Sequence, residues 1–381
     1  MFDVKYSSPI GHVSSIELAL DARKGGCDER VQKRTYRGAS SRLACSTVVS
    51  ELCAWENIYM IEAVRSCPEM CRFCLASYGS LPFRAADAHN ELIPAIERGL
   101  KVTSRIGILG ASVTQHPQWD AVVDELMNPK YDGMRLSLSS VRANTMTEKL
   151  ARLLVTRDSK SVTIAVESGS QRLRDIVNKK LDDAEIIAAV ENACRGGLSA
   201  MKLYGMTGIP GEKSEDLECT LRMFDELRKA VKRTQNGSFK LTFGCSTFVP
   251  KAHTPFQWFG VRPDAQKNLK VLEKRMKKIG VEFRPESYKS SLIQALLSRG
   301  DRRTRLVIEL ANEWGNTLGA FRRALKELRG QVPSMDHYVF DDWPLDTVLP
   351  WSHLETAISP STILAHQGIA ANQFPTDETV P

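Results

Sequence analysis

Between residues 56 and 258, short apolar and β-branched runs alternate with longer stretches whose apolar positions recur every three or four residues. The short runs predict strands at 57–64, 105–109, 134–138, 161–166, 200–206 and 240–248. The longer stretches predict helices at 85–99, 119–127, 147–155, 182–195 and 214–232. Strands separated by helices pair in parallel through crossover connections, so the pattern predicts an α/β fold. A closed eightfold barrel takes about 250 residues, more than this alternation spans, so an open barrel of six βα units is expected. After 261 the pattern turns helical, at 264–279, 289–297, 304–314 and 317–329. Four segments follow: an irregular lead-in at 1–55, the barrel at 56–260, a helical extension at 261–332, and a proline-containing tail at 333–381. The tail is expected to pack as extended chain, with its last dozen residues loose.

Charge divides along the same boundaries. The chain has 381 residues and a formal net charge of +7. Seven of its 45 acids and none of its 52 Lys and Arg fall in 333–381, so the remainder carries +14. The helical segment from 261 to 330 alone holds 17 basic and 8 acidic residues. A basic body of this kind suits an anionic partner, RNA or a phosphorylated metabolite; a merely solvated surface is the plainer reading, because no aromatic-rich RNA-binding signature accompanies it. No apolar run approaches the length of a membrane span, and the N-terminus lacks a secretory apolar region, so a cytoplasmic location is expected. Thiols stay reduced in that compartment, and the nine cysteines need a reason other than disulfides.

Three of them form a C-x3-C-x2-C run, Cys67, Cys71 and Cys74, directly after the first predicted strand. Random placement would give about 0.005 such runs in a chain of this composition. In a parallel barrel this position lies at the carboxyl-terminal rim, where active sites collect. Thiolates suit zinc or iron–sulfur clusters. A structural zinc site needs a fourth ligand, which a distant His such as His116 or His253 would have to supply, and three buried thiols are the other plain reading; three thiolates on a cluster leave one iron open. The other six cysteines, at 27, 45, 53, 194, 219 and 245, show no ligand spacing and read as buried thiols.

The run, with Phe73 before its last cysteine and a βα barrel behind it, resembles the radical S-adenosylmethionine (SAM) superfamily. Further segments, G-A-S-V-T-x-H-P at 110–117, F-V-P-K-A-H-T-P-F-Q-W at 248–258, A-L-L-S-R-G-D-R-R at 295–303 and L-P-W-S-H-L at 349–354, resemble its cobalamin-binding-type Fe–S oxidoreductases. The resemblance implies a partial (βα)6 radical SAM barrel with a mainly helical C-terminal extension. It implies a [4Fe–4S] cluster on Cys67, Cys71 and Cys74, with SAM on the fourth iron and an electron donor such as flavodoxin or ferredoxin. It places Phe73 against adenine, Gly110 and Ala111 at a close backbone approach, and Ser139, Glu167 and Ser168 toward the ribose and methionine end. Lys202 would pair with the SAM carboxylate, and Val249 and Pro250 would pack against adenine. Only 55 residues precede the barrel and no D-x-H-x-x-G signature is present, so cobalamin use stays open.

For Glu167-Ser168-Gly169-Ser170 the plainer alternative is a helix N-cap. Arg142, Glu167, His253 and the basic helices would shape a substrate pocket; no catalytic residue is assigned, and the substrate is a small metabolite or RNA. The competing reading is a non-catalytic zinc or Fe–S module that contacts RNA through its basic face.

Overall fold

The computed structural model describes residues 1–36, 43–139, 141–234 and 238–374. Ser140 and the end of the tail, 375–381, lie outside the described residues. Six strands stand where the alternation predicts them: β1 (Ile58–Glu62), β2 (Arg105–Leu109), β3 (Arg135–Leu138), β4 (Ser161–Glu167), β5 (Ala200–Thr207) and β6 (Lys240–Thr247). They run parallel in sequence order. Ile58 is level with Arg105 and Arg105 with Arg135. Val141 bridges to Ile164 between β3 and β4, and Ala200 is level with both Ser161 and Lys240. A seventh strand, β7 (Glu282–Pro285), adds parallel to β6 beyond the expected end of the rhythm.

The crossovers are α1 (Ile93–Leu100), α2 (Trp119–Leu126), α3 (Glu148–Thr156), α4 (Asp183–Arg195), α5 (Ser214–Arg233) and α6 (Ala265–Lys278). Their starts carry the expected caps: Thr147 accepts from the Leu150 amide at 3.1 Å, and Asp182 and Glu185 form a reciprocal capping box before α4. One face of the sheet is sealed by these helices. Ile106, Ile108, Leu136, Ile164 and Leu203 are fully buried there, and Phe224 of α5 meets Phe243 of β6 at a ring separation of 4.8 Å. The other face is the barrel lumen, where Ser137 and Tyr204 remain exposed.

The lead-in is more regular than expected. Phe2–Tyr6 and Val13–Leu18 form an antiparallel hairpin. The stretch around Cys45 runs antiparallel to β1, with the Ser46 amide donating to Met60 O and the Glu62 amide to Ala44 O, both at 2.9 Å. That pairing covers the edge β1 would otherwise expose.

Beyond β7, α7 (Tyr288–Arg299), α8 (Thr304–Glu313) and α9 (Leu318–Glu327) build a second core around Trp258, Trp343 and Trp351. Here the tail departs from expectation. It is not extended: it holds Met335–Val339 and α10 (Pro360–Ala371), and Ile363 and Phe374 are buried. Pro360 sits at the first helical position behind the Ser359 cap, where a missing N–H costs nothing, so proline begins this helix instead of breaking it. The thiols also differ from expectation. Cys194 and Cys245 are buried, but Cys27 and Cys53 are exposed on the loops of the lead-in, and Cys45 and Cys219 are half-buried. Among the described residues, no helix is long and apolar enough to cross a membrane.

Candidate metal centre

After β1 the chain passes through Val64–Arg65, which pairs antiparallel with Arg84–Ala85, into the loop that carries the three clustered cysteines. The loop lies at the carboxyl end of the sheet and is held from outside. Asn178 Nδ2 donates to the carbonyls of Glu69 and Met70 at 3.0 and 2.9 Å. The Arg72 guanidinium donates to Asp175 O and Ile176 O at 2.8 and 2.6 Å. Tyr78 Oη, on the short helix Leu75–Gly79, lies 2.7 Å from His366 Nδ1 of α10. The segment after β4 and the C-terminal helix thus fix the loop's shape.

Cys67, Cys71 and Cys74 line one cavity of about 160 Å³, together with Phe73, Ala111 and Glu167. Cys71 is buried, and burial pushes its thiol up to about 12, even though the nearby Lys179 ammonium favours the thiolate. A thiolate there calls for more positive charge than Lys179 supplies. A soft metal centre supplies it, so this donor set fits an iron–sulfur cluster. Among the described residues, no three His, Cys, Asp or Glu side chains converge on one ion position. Thiolates that each ligate a different iron of a cluster have no need to converge. The two histidines considered as zinc ligands lie elsewhere. His116 is buried, accepting from the Gln118 amide at Nδ1 (3.0 Å) and donating from Nε2 to Ala86 O (2.6 Å). His253 lines a different cavity, beside Trp351.

Glu167 closes β4 with a left-handed backbone, φ 65°, which is uncommon for a residue with a side chain and marks a held conformation. Its Oε1 accepts from Lys179 Nζ at 2.7 Å, and both side chains are about nine-tenths buried. Burial disfavours the Lys179 ammonium, yet Glu167 and Cys71 beside it outweigh that and hold its pKa above the ordinary value. Arg142 also lines the cavity; its Nη2 donates to the carbonyls of Lys179 and Lys180 at 2.8 and 2.6 Å and lies 3.4 Å from Glu69 Oε2. Lys179 is the residue that sequence reasoning missed. It follows the short helix Gln171–Ile176 in an unremarkable N-K-K-L stretch, and only the return of that loop over β4 brings it to the thiols.

The remaining expected residues sit farther off. Gly110 adjoins Ala111 where a Cβ would stand 2.8 Å from Val64 O. Ser139 Oγ donates to Gly110 O at 2.9 Å and so braces that turn. Ser168 is buried, its Oγ accepting from the Ser170 amide at 3.1 Å, while Ser170 caps the helix Gln171–Ile176. Val249 and Pro250 are buried, Val249 in the second core with Tyr78. Lys202 stands outside the cavity. It lies near the start of β5, level with Thr163, four residues and about 13 Å before Glu167. The Gly208–Gly211 turn is locked by Glu212, whose carboxylate accepts from Thr207 Oγ1 (2.8 Å), the Gly208 amide (2.5 Å) and Asn268 Nδ2 (3.2 Å).

Residues 61–224, from the end of β1 to the middle of α5, match the radical SAM superfamily. An uncharacterized protein of Methanocaldococcus jannaschii is 31% identical over 279 residues, covering 72% of this chain and 59% of its own length. An uncharacterized methyltransferase of Pyrococcus horikoshii is 27% identical over 169 residues, covering 43% of this chain and 36% of its own. The chain thus spans about half the length of the curated relatives it matches. The structure of the radical SAM methyltransferase TsrM from Kitasatospora setae aligns over 82% of this chain and 60% of that one, at 12% identity and a TM-score of 0.43. The superfamily implies a [4Fe–4S] cluster and SAM, and the thiol-lined cavity inside the matched segment has the donors such a cluster takes. Residues 61–224 are a radical SAM domain, and the family to which they belong is the radical SAM superfamily.

Proposed function

We propose that the chain is an enzyme in which Cys67, Cys71 and Cys74 hold a [4Fe–4S] cluster whose fourth iron is left open for the amino acid end of SAM. The observation that carries this reading is the meeting of three thiols on one cavity inside the matched segment. Once held there, a reduced cluster would supply the electron for reductive cleavage of SAM, the radical chemistry that opens an unactivated C–H bond. The chain's own groups bind and orient. The Glu167 carboxylate accepts from the amino group or the ribose hydroxyls, and Lys179 and Arg142 supply positive charge for the SAM carboxylate. Phe73 would lie against the adenine, and Gly110 and Ala111 would let the cofactor approach the backbone closely. Ser139 and Ser168 act one step back, by bracing the turns that carry these groups, while Val249 and Pro250 wall the adenine side. A low-potential donor such as flavodoxin or ferredoxin delivers the electron, in the cytoplasm.

Anaerobic assembly of the cluster tests the proposal. The expected product binds about four irons and four sulfides, absorbs broadly near ~400 nm, and releases 5′-deoxyadenosine from SAM only with reductant. A colourless chain that takes one zinc, the competing structural reading, refutes it.

A further inference from the structure

At the opposite end of the barrel, four cations stand on the lumen side of β2, β3, β5 and β6, with Ser161 and Thr163 of β4 between them. A Cβ on Gly107 would lie 3.0 Å from Ile58 Cδ1 and 3.5 Å from Met60 Cγ, so these positions of β1 and β2 share the face turned away from the helices. Arg105, two residues before Gly107, is on that face, and Arg135 is level with it on β3. On β5 and β6, Tyr204 and Gly244 share the lumen side, which puts Lys202 and Lys240 there as well. Arg135 and Lys240 are exposed, Arg105 and Lys202 half-buried, and among the described residues none of the four has an ion-pair partner within 4.0 Å. Of the acids at this end, Asp132 is held by Arg157 and Glu282 by Arg284, with Lys240 close enough to act on Glu282 as well, while Glu51, Glu56 and Asp158 lie on exposed loops.

Like charges level on adjacent strands repel and destabilise a sheet, so Arg105 beside Arg135 is a local cost with no internal offset. A polyanion offsets it. The row from β2 to β6 crosses four strand spacings, about 19 Å, wider than one phosphate group and suited to several in a chain. The loop before β1 adds apolar surface at the same end, with Trp55 67% and Leu52 97% exposed. Cations beside exposed aromatic surface, here Trp55 and Tyr204, are the combination that binds a single strand through phosphates and base stacking.

We propose that the amino-terminal mouth of the barrel binds the backbone of a single-stranded nucleic acid. The inference stands on strand register and charge and holds whether or not the cluster reading does. Its test is fluorescence anisotropy with a labelled 15-nucleotide single-stranded RNA, on the chain before and after cluster assembly, with DNA of the same sequence as a second arm. Binding is expected in both states, weakening with salt. Arg105→Gln/Arg135→Gln should weaken it at least tenfold and lower the slope of log K against log[salt] by about 1.4, some 0.7 per lost contact. Arg105→Lys/Arg135→Lys should retain the slope, which separates charge from misfolding. Arg322→Gln/Lys326→Gln, on the distant α9, should bind like the parent. An unchanged slope in the double Gln variant, an equal loss in the α9 variant, or full competition by equimolar inorganic pyrophosphate overturns the proposal. Binding without 5′-deoxyadenosine release leaves this site standing and refutes the cluster chemistry alone.

Discussion

Replacing Lys179 by Met removes the ammonium that faces Glu167 at 2.7 Å in a place where both side chains are about nine-tenths buried. The carboxylate then stays desolvated without its ion pair, and losing one member of a buried pair costs about 3–5 kcal/mol. Taking both charges away behaves differently. In Glu167→Gln/Lys179→Met the neutral amide carries no uncompensated charge, and what is lost is of the order of one hydrogen bond, about 1–2 kcal/mol. The double variant is therefore expected to be more stable than Lys179→Met, by about 1–4 kcal/mol. Urea unfolding of the cluster-free chain, followed by tryptophan fluorescence, measures this. With an m-value of about 3 kcal/mol/M, the Lys179→Met midpoint should fall by about 1 M or more, and the double variant should regain at least about a third of that. If the two losses add, so that the double variant is the weaker one, Glu167 and Lys179 do not compensate each other and the electrostatic account of this cavity fails.

Alanine at Cys67, Cys71 or Cys74 should abolish iron retention on anaerobic assembly, measured as iron per chain, whereas Cys27→Ala and Cys219→Ala should retain it. Burial pushes the Glu212 carboxyl up to about 7, against the opposing hydrogen bonds from Gly208 and Thr207. The native state then keeps a proton that the unfolded chain releases, so stability is fullest in acid, declines from the ordinary carboxylate range up to about pH 7, and levels off above it. The decline amounts to about 3 kcal/mol at 1.36 kcal/mol per pKa unit, and Glu212→Gln should remove it in urea midpoints taken from pH 5 to 8. Tyr78→Phe deletes the 2.7 Å contact with His366, costing about 1 kcal/mol and freeing α10 for faster limited proteolysis.

The parts of the fold legible in sequence were those coded locally. Runs such as Val162–Val166 and Leu241–Phe243 announce strands because burial against helices selects β-branched and aromatic side chains. The cysteine run is legible for the same reason, all three thiols lying within eight residues. Lys179 is not, because nothing near it in sequence signals that the loop after Gln171–Ile176 folds back over β4. Lys202 lies near the start of its strand in both the expected 200–206 and the observed Ala200–Thr207, so it faces the other mouth, and only the resemblance had carried it to the SAM carboxylate. Strand β7, only four residues long, carries too few alternations to stand out, and its pairing with β6 supplies what its sequence lacks.

The returning segment that hides Lys179 from the sequence also bears on how the site works. The cysteine loop has little regular structure of its own, and its backbone is held by Arg72 and Asn178 against the segment after β4 and by Tyr78 against α10. Asn178 donates to Glu69 and Met70 carbonyls that a free loop would present to water, and Arg72, from within the loop, donates to the last carbonyls of the helix Gln171–Ile176, so protein contacts alone set the loop's shape. Lys179 is delivered by the same segment that Arg72 grips. The loop and its cation are therefore positioned by one set of contacts, and a change in either anchor reaches the thiols and the Glu167 carboxylate together. Sequence spacing alone picks out the three thiols, but only the returning segment explains why the buried thiol, the carboxylate and the ammonium share one wall.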